Sequence, residues 1–123
     1  MNYKILAVDD SKTLLEVLEF AFEKHELSVH TTDSLEECKK LISEPTFDVI
    51  LYDLNFREMD GISFVRFLRK EQKSGTRVFL MANHQKHEIK LSAKEAGADG
   101  WILKPFIAEL LGKKIRRFIK YGY

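Results

Sequence analysis

Three apolar runs in this sequence end abruptly on charge. Tyr3-Lys4-Ile5-Leu6-Ala7-Val8 runs into Asp9-Asp10, Val49-Ile50-Leu51-Tyr52 into Asp53, and Trp101-Ile102-Leu103 into Lys104-Pro105. An unbroken apolar run of this kind suits a strand buried on both faces, as in a parallel sheet. A charge directly after it falls at the strand's C-terminal mouth, where open α/β sheets carry their sites. With strands one and three adjacent, Asp9, Asp10 and Asp53 converge at one sheet edge. Like charges so close require a cation or raised pKa values. Mg²⁺ answers that need: it takes oxygen ligands, keeps several waters, and binds through one or two carboxylates plus a phosphate oxygen. Lys104 adds an ammonium at the same edge, so that metal and lysine together cancel the three carboxylates. Such a pocket is primed for a dianionic phosphoryl group, whose developing charge the two cations stabilise, and an aspartate is a competent nucleophile.

The elements that must position these residues follow from the pattern along the chain. Residues 3–8 read as strand one. Ser11 caps a helix from Lys12 to about Lys24, with Leu14, Leu18, Ala21 and Phe22 on its inner face. Ser28–Thr31 is a short second strand. Ser34-Leu35-Glu36-Glu37 is a capping box opening a helix through Leu41 and Ile42, which Pro45 closes off. Val49–Tyr52 is strand three. Gly61 starts a helix with Ile62, Val65 and Leu68, or the neighbouring Phe64 and Phe67, facing inward. Ser74-Gly75 turns into strand four, Val78–Met81. A helix from about Glu88 to Ala96 is stopped by Gly97, Trp101–Leu103 is strand five, and a last helix runs from about Ile107 to Ile119 with Ile107, Leu111, Ile115 and Phe118 inward. Five β-then-α units with short connections predict an α/β fold with a parallel sheet and helices on both faces. The pattern fills the chain without repeat or linker, so residues 1–123 are expected to form one domain with no appended output domain.

Composition agrees. The 123 residues are 45% apolar and 32% charged, with a formal net charge of +1. That is the balance of a globular chain with no overall pull toward nucleic acid or membrane. No apolar run approaches a membrane span, and Met1-Asn2-Tyr3-Lys4 lacks a signal-peptide layout. The single cysteine, Cys38, has no internal partner and is expected to be a small packed side chain in a reducing cytoplasm.

Each member of the constellation is weak alone, because an Asp-Asp pair before a helix is most often an N-cap near a favourable dipole. Together they are specific, and here the sequence resembles the response-regulator receiver domains, most closely the stand-alone CheY-like kind. The resemblance covers essentially the whole chain. It rests on VDDS (8–11), on DVILYDLN followed by MDG (48–55, 59–61), and on AGADGWILKPF (96–106). It implies a flavodoxin-like sheet of order 2-1-3-4-5 and phosphorylation of Asp53 by a histidine kinase, a phosphotransfer protein or a small phosphodonor. It implies Mg²⁺ held by Asp10, Asp53 and the backbone carbonyl of Asn55, with Asp9 assisting through water. Lys104 would pair with the phosphoryl group, and the Lys104-Pro105 bond would be cis. Output would pass through protein contacts in a two-component system, with no enzymatic turnover beyond self-catalysed phosphoryl transfer and autodephosphorylation. The chain would be a monomer or weak dimer.

The sequence also departs from that pattern. Ala82 stands where the family carries Ser or Thr, whose hydroxyl donates to the phosphoryl group. A hydrogen bond to a charged group contributes roughly 1.5–3 kcal/mol, so its loss would weaken the active-state bias about ten- to a hundredfold. Metal binding and phosphoryl transfer do not need that hydroxyl. Asn83 or His84 could supply a donor instead. Trp101 occupies the aromatic switch position, where the small Ala82 leaves room for the indole to lie inward without phosphorylation; simple surface packing of the ring is the rival reading. Arg57, after Phe56, replaces a common proline and predicts a less rigid loop. Asn55 and His84 match positions that tune dephosphorylation.

Three classes of function compete: a phospho-accepting receiver, a pseudo-receiver whose shape is uncoupled from phosphorylation by Ala82, and an aspartyl phosphohydrolase. The last, haloacid-dehalogenase-like, needs a second Asp two residues beyond the nucleophile, where this chain has Asn55. A flavin binder lacks its phosphate loop after strand one. His84 and His87 have no further ligand spaced to complete a transition-metal site. Lys113, Lys114, Arg116, Arg117 and Lys120 on the last helix read as a solvated face or, with strand four to helix five, as a docking surface for a downstream protein; no base-reading motif accompanies them.

Overall fold

Five strands and five helices alternate along the chain: β1 (Tyr3–Val8), α1 (Lys12–Glu23), β2 (Leu27–Thr32), α2 (Leu35–Leu41), β3 (Val49–Asp53), α3 (Gly61–Lys70), β4 (Arg77–Ala82), α4 (His87–Ala96), β5 (Gly100–Leu103) and α5 (Ala108–Tyr121). The computed structural model describes residues 2–44 and 46–122. Pro45, read as the stop of the second helix, lies outside them. All strand pairs are parallel, in the order β2-β1-β3-β4-β5, so the architecture is the three-layer one that the alternating pattern implies.

Side-chain alternation divides the core into two layers. Leu6, Val8, Ile50, Tyr52, Val78, Leu80 and Ala82 point to one face and pack with Cys38, Phe64, Val65, Leu68 and Ala93 of α2, α3 and α4. Ile5, Ala7, Val49, Leu51, Met81 and Ile102 point to the other and meet α1 and α5. Central β3 is buried at every position, the physical reason its sequence reads as a continuous apolar run rather than an alternating one.

The inner faces of the helices differ in detail from the expected ones. Leu15, not Leu14, is buried with Leu18, Ala21 and Phe22 in α1. In α3 the buried set is Gly61, Phe64, Val65 and Leu68, which mixes the two alternatives into one broader apolar stripe. Ile107 is the N-cap of α5 and is 65% exposed, while Ala108, Leu111, Gly112 and Ile115 face the core. The capping box at Ser34 is half formed. Its hydroxyl accepts from Glu37 N–H at 3.2 Å, but its own N–H donates to Thr32 Oγ1 at 3.1 Å.

Two glycines are required by geometry. Gly97 ends α4 in the left-handed region at φ 110°, where a side chain is strained. Gly61 lies so close to the sheet that a Cβ would stand 2.7 Å from Leu80 Cδ2 and 3.0 Å from the Leu54 Cα. That contact brings the start of α3, and the loop before it, down onto the ends of β3 and β4.

Candidate functional site

Strand register assembles the site. Val8 pairs with Tyr52, Asp53 with Met81 and Ala82 with Leu103, so the residues that end β1, β3 and β5 arrive at one edge. Lys104 N–H donates to the Ala82 carbonyl at 2.6 Å, which carries the chain one residue past β5 and turns the lysine over the strand ends. Its ammonium then sits 2.6 Å from Asp9 Oδ2 and 3.4 Å from Asp53 Oδ1. The following Lys104-Pro105 peptide is cis.

The three carboxylates are in unequal circumstances. Asp9, 2% exposed, has both oxygens engaged: Oδ2 with Lys104, and Oδ1 accepting from Ser11 N–H at 2.9 Å. Asp53, 8% exposed, takes both of its contacts on Oδ1, from Lys104 and from Asn55 N–H at 3.3 Å. Burial pushes the Asp53 carboxyl above the ordinary carboxylate range and the charge of Asp9 pushes it further, while Lys104 and the Asn55 N–H pull the other way without cancelling the rise. Asp10 is met from the loop after β3. Its Oδ2 accepts from Arg57 N–H at 3.0 Å and its Oδ1 lies 3.7 Å from the Arg57 guanidinium.

The anticipated three-carboxylate convergence is therefore split, with Lys104 drawing Asp9 and Asp53 together and residue 57 holding Asp10. Among the described residues no group of three or more His, Cys, Asp or Glu side chains is arranged as a ready metal cage. The donor set nonetheless fits a hard divalent ion: oxygen ligands only, and a buried carboxylate that its single lysine does not fully neutralise.

The remaining site residues fall around this centre. Ala82 is buried at the end of β4 and brings no hydroxyl. Asn83 lines a cleft of about 380 Å³ together with Ser11, Leu14, Lys104, Pro105 and Phe106. His84 is turned to other work: its Nδ1 accepts from Lys86 N–H at 3.2 Å and its carbonyl accepts from Trp101 Nε1 at 3.0 Å. Trp101 is half-buried and packs against the α2–α4 side of the core. Asn55 is exposed beside Asp53.

Several contacts were not legible beforehand. Tyr52, read as one more apolar residue of strand three, is wholly buried, stacks on Phe64 at 4.0 Å and donates its hydroxyl to the Met59 carbonyl at 2.7 Å. A phenol inside an aliphatic run needs a partner for its polar tip, and that was the available signal. Phe56, 2% exposed, stands edge-on to Tyr52. The loop after β3 is fastened at Phe56 and Met59 by Tyr52, and at residue 57 by an N–H and a guanidinium that proline lacks.

The fold is a parallel α/β sandwich that carries an aspartate–lysine cluster at the C-terminal edge of its sheet. A family model for the response regulator receiver domain matches residues 5–116, and the chain belongs to that family, the receiver domains of two-component response regulators. It is 30% identical over 106 residues to the transcriptional regulatory protein SrrA of Staphylococcus aureus, covering 86% of this chain and 43% of that protein; the chain thus spans less than half the length of the curated relatives it matches. Among solved structures, chemotaxis response regulator CheY4 of Vibrio cholerae superimposes with a TM-score of 0.85 at 31% identity, covering 95% of this chain and 98% of that one. The Francisella response regulator 1452 receiver domain gives a TM-score of 0.88 at 27% identity over 99% and 100% of the two chains. No described helix is long and apolar enough to cross a membrane.

Proposed function

We propose that this chain is a phospho-accepting signalling module in which Asp53 takes a phosphoryl group from the phosphohistidine of a histidine kinase or phosphotransfer protein, or from a small acyl phosphate. The observation that carries the reading is Lys104 standing between Asp9 and Asp53 at the sheet's C-terminal edge. In transfer, the bond from phosphorus to the donor breaks as a bond from phosphorus to an Asp53 carboxylate oxygen forms. The Lys104 ammonium meets the charge on the phosphoryl oxygens. Asp9, with both oxygens engaged, holds that ammonium in place. Mg²⁺ would be held by Asp10, Asp53 and the Asn55 carbonyl, and supplies Lewis-acid stabilisation of the transferring group. Asn83, lining the cleft beside Lys104, is the side chain best placed to donate where Ala82 has no hydroxyl. Output runs in the cytoplasm through protein contacts on the β4-to-α5 face, where Leu91, Leu103, Ile107 and Leu110 are exposed.

A second reading, the pseudo-receiver, is favoured by one contact. The Trp101 indole is bonded to the His84 carbonyl, a partner that can hold the ring without any contact to Asp53. One experiment addresses both. Incubation with acetyl phosphate and Mg²⁺ adds one phosphoryl mass to the wild-type chain and none to Asp53→Ala. Affinity for a pulled-down partner is then compared with and without the modification. Uptake with altered affinity supports the receiver, uptake without it supports the pseudo-receiver, and absence of uptake removes the first reading.

A further inference from the structure

Residue 57 occupies both oxygens of Asp10, by two different groups. The backbone N–H on Oδ2 at 3.0 Å is available to any residue except proline, whereas the guanidinium 3.7 Å from Oδ1 is available only with a long cationic side chain. The loop delivers both. Phe56 is buried against Tyr52, and the Tyr52 hydroxyl pins the Met59 carbonyl, so residue 57 is held between two anchored neighbours beside the end of β1. The Arg57 side chain itself is 86% exposed against 31% for Asp10. It is therefore a cation that can reach the carboxylate and also swing clear at small cost. Lys104, only 24% exposed and held by Asp9, stands by Asp9 and Asp53, so that each half of the acidic edge has a cation.

We infer that Arg57 is a built-in competitor for the divalent ion: its guanidinium neutralises Asp10 in the metal-free protein and must leave Oδ1 before a metal can take that oxygen, which lowers Mg²⁺ affinity. The inference rests on the reading that Asp10 and Asp53 hold Mg²⁺. Arg57 acts through Asp10 and is a positioning residue, not a catalytic one. The competition is electrostatic and solvent-facing, so it weakens as salt screens it, whereas a metal–carboxylate bond in the pocket is less affected.

The test is calorimetric titration of Mg²⁺ into the full chain and into Arg57→Gln, which keeps the backbone N–H and much of the reach but not the charge, with Asp10→Asn as the site control. At low salt Arg57→Gln binds Mg²⁺ about three- to fivefold more tightly than wild type, the scale of an exposed ion pair. In about 0.5 M salt, where the screening length is only a few ångströms, the gap closes. Thermal melting in EDTA checks that the variant is folded. Equal or weaker binding by Arg57→Gln, or a gap that persists unchanged in salt, overturns the inference while leaving the metal site standing. Absence of binding by both proteins at millimolar Mg²⁺, or binding that survives Asp10→Asn unaltered, removes the metal reading itself and the inference with it.

Discussion

Two cations bridge elements at opposite ends of this sheet, and their surroundings differ. At the N-terminal end, Arg69 of α3 donates from Nε and Nη2 to the Gly97 carbonyl at 3.2 and 2.9 Å, and from Nη1 to the Ser74 and Thr76 carbonyls at 2.9 and 2.7 Å. It also pairs with Asp99 at 3.0 Å, and the same Asp99 oxygen accepts from Val78 N–H at 2.9 Å. The five donors of the fork are spent on the chain turns that enter β4 and β5. At the C-terminal end, one lysine faces two buried carboxylates and leaves Asp53 with its pKa raised. The first arrangement is closed and serves the architecture. The second leaves negative charge uncompensated, a deficit that favours an incoming cation and thereby function.

Breaking each end should therefore act in opposite directions. Arg69→Ala removes the fork and strands three carbonyls and Asp99; urea unfolding is expected to show a loss of about 2–4 kcal/mol, with Arg69→Lys restoring only part because an ammonium cannot span the same acceptors. Asp53→Asn removes a charge that burial and Asp9 both disfavour. At pH 7 in EDTA it is expected to stabilise the fold, read as a rise in melting temperature.

The pH dependence sharpens the contrast. A carboxyl whose folded pKa is raised contributes stability that is fully present below its unfolded value and lost as pH rises through the folded value. The advantage of Asp53→Asn over wild type should thus grow as pH rises through the raised value and vanish as pH falls below the ordinary aspartate value of 3.8. An advantage that grew on acidification would contradict the assignment. Saturating Mg²⁺ should also shrink it, by compensating the charge in the wild type alone.

Two smaller effects mark regions that stay still. Because Trp101 Nε1 is already bonded to the His84 carbonyl, indole emission should hold steady when beryllofluoride and Mg²⁺ are added; a large change would show that the ring moves after all. Burial pushes the Cys38 thiol up to about 12, so a thiol reagent at pH 8 should leave it unmodified until the chain unfolds. Rapid native-state labelling would place Cys38 outside the packed core.

Much of the site was visible before any coordinates because its members share one local signature, an apolar run ending on charge. Asp9 and Asp53 end runs of buried strand residues, while Lys104 follows the apolar edge strand β5, whose Leu103 is exposed; parallel pairing brings these strand ends together in space. The Arg69 network has no such signature. Its acceptors are backbone carbonyls at 74, 76 and 97, which any residues would offer, and its single acidic partner lies 30 positions away. Arg57 was legible as a departure from pattern, but what it touches depends on how the loop folds back over β1.

By itself the sequence determined the alternation of strands and helices, the burial of the third strand on both faces, and the edge at which the acidic residues and the lysine emerge. These follow from periodicities of two and 3.6 residues and from charge placed after apolar runs, all local properties of the chain. Only the tertiary structure decided how the charges are shared: Lys104 with Asp9 and Asp53, Arg57 with Asp10, and Trp101 with the His84 carbonyl. Ion pairs and side-chain hydrogen bonds form over a few ångströms between residues tens of positions apart. Which partner each side chain takes is set by packing, through the anchoring of the loop at Phe56 and Tyr52 and the close approach at Gly61.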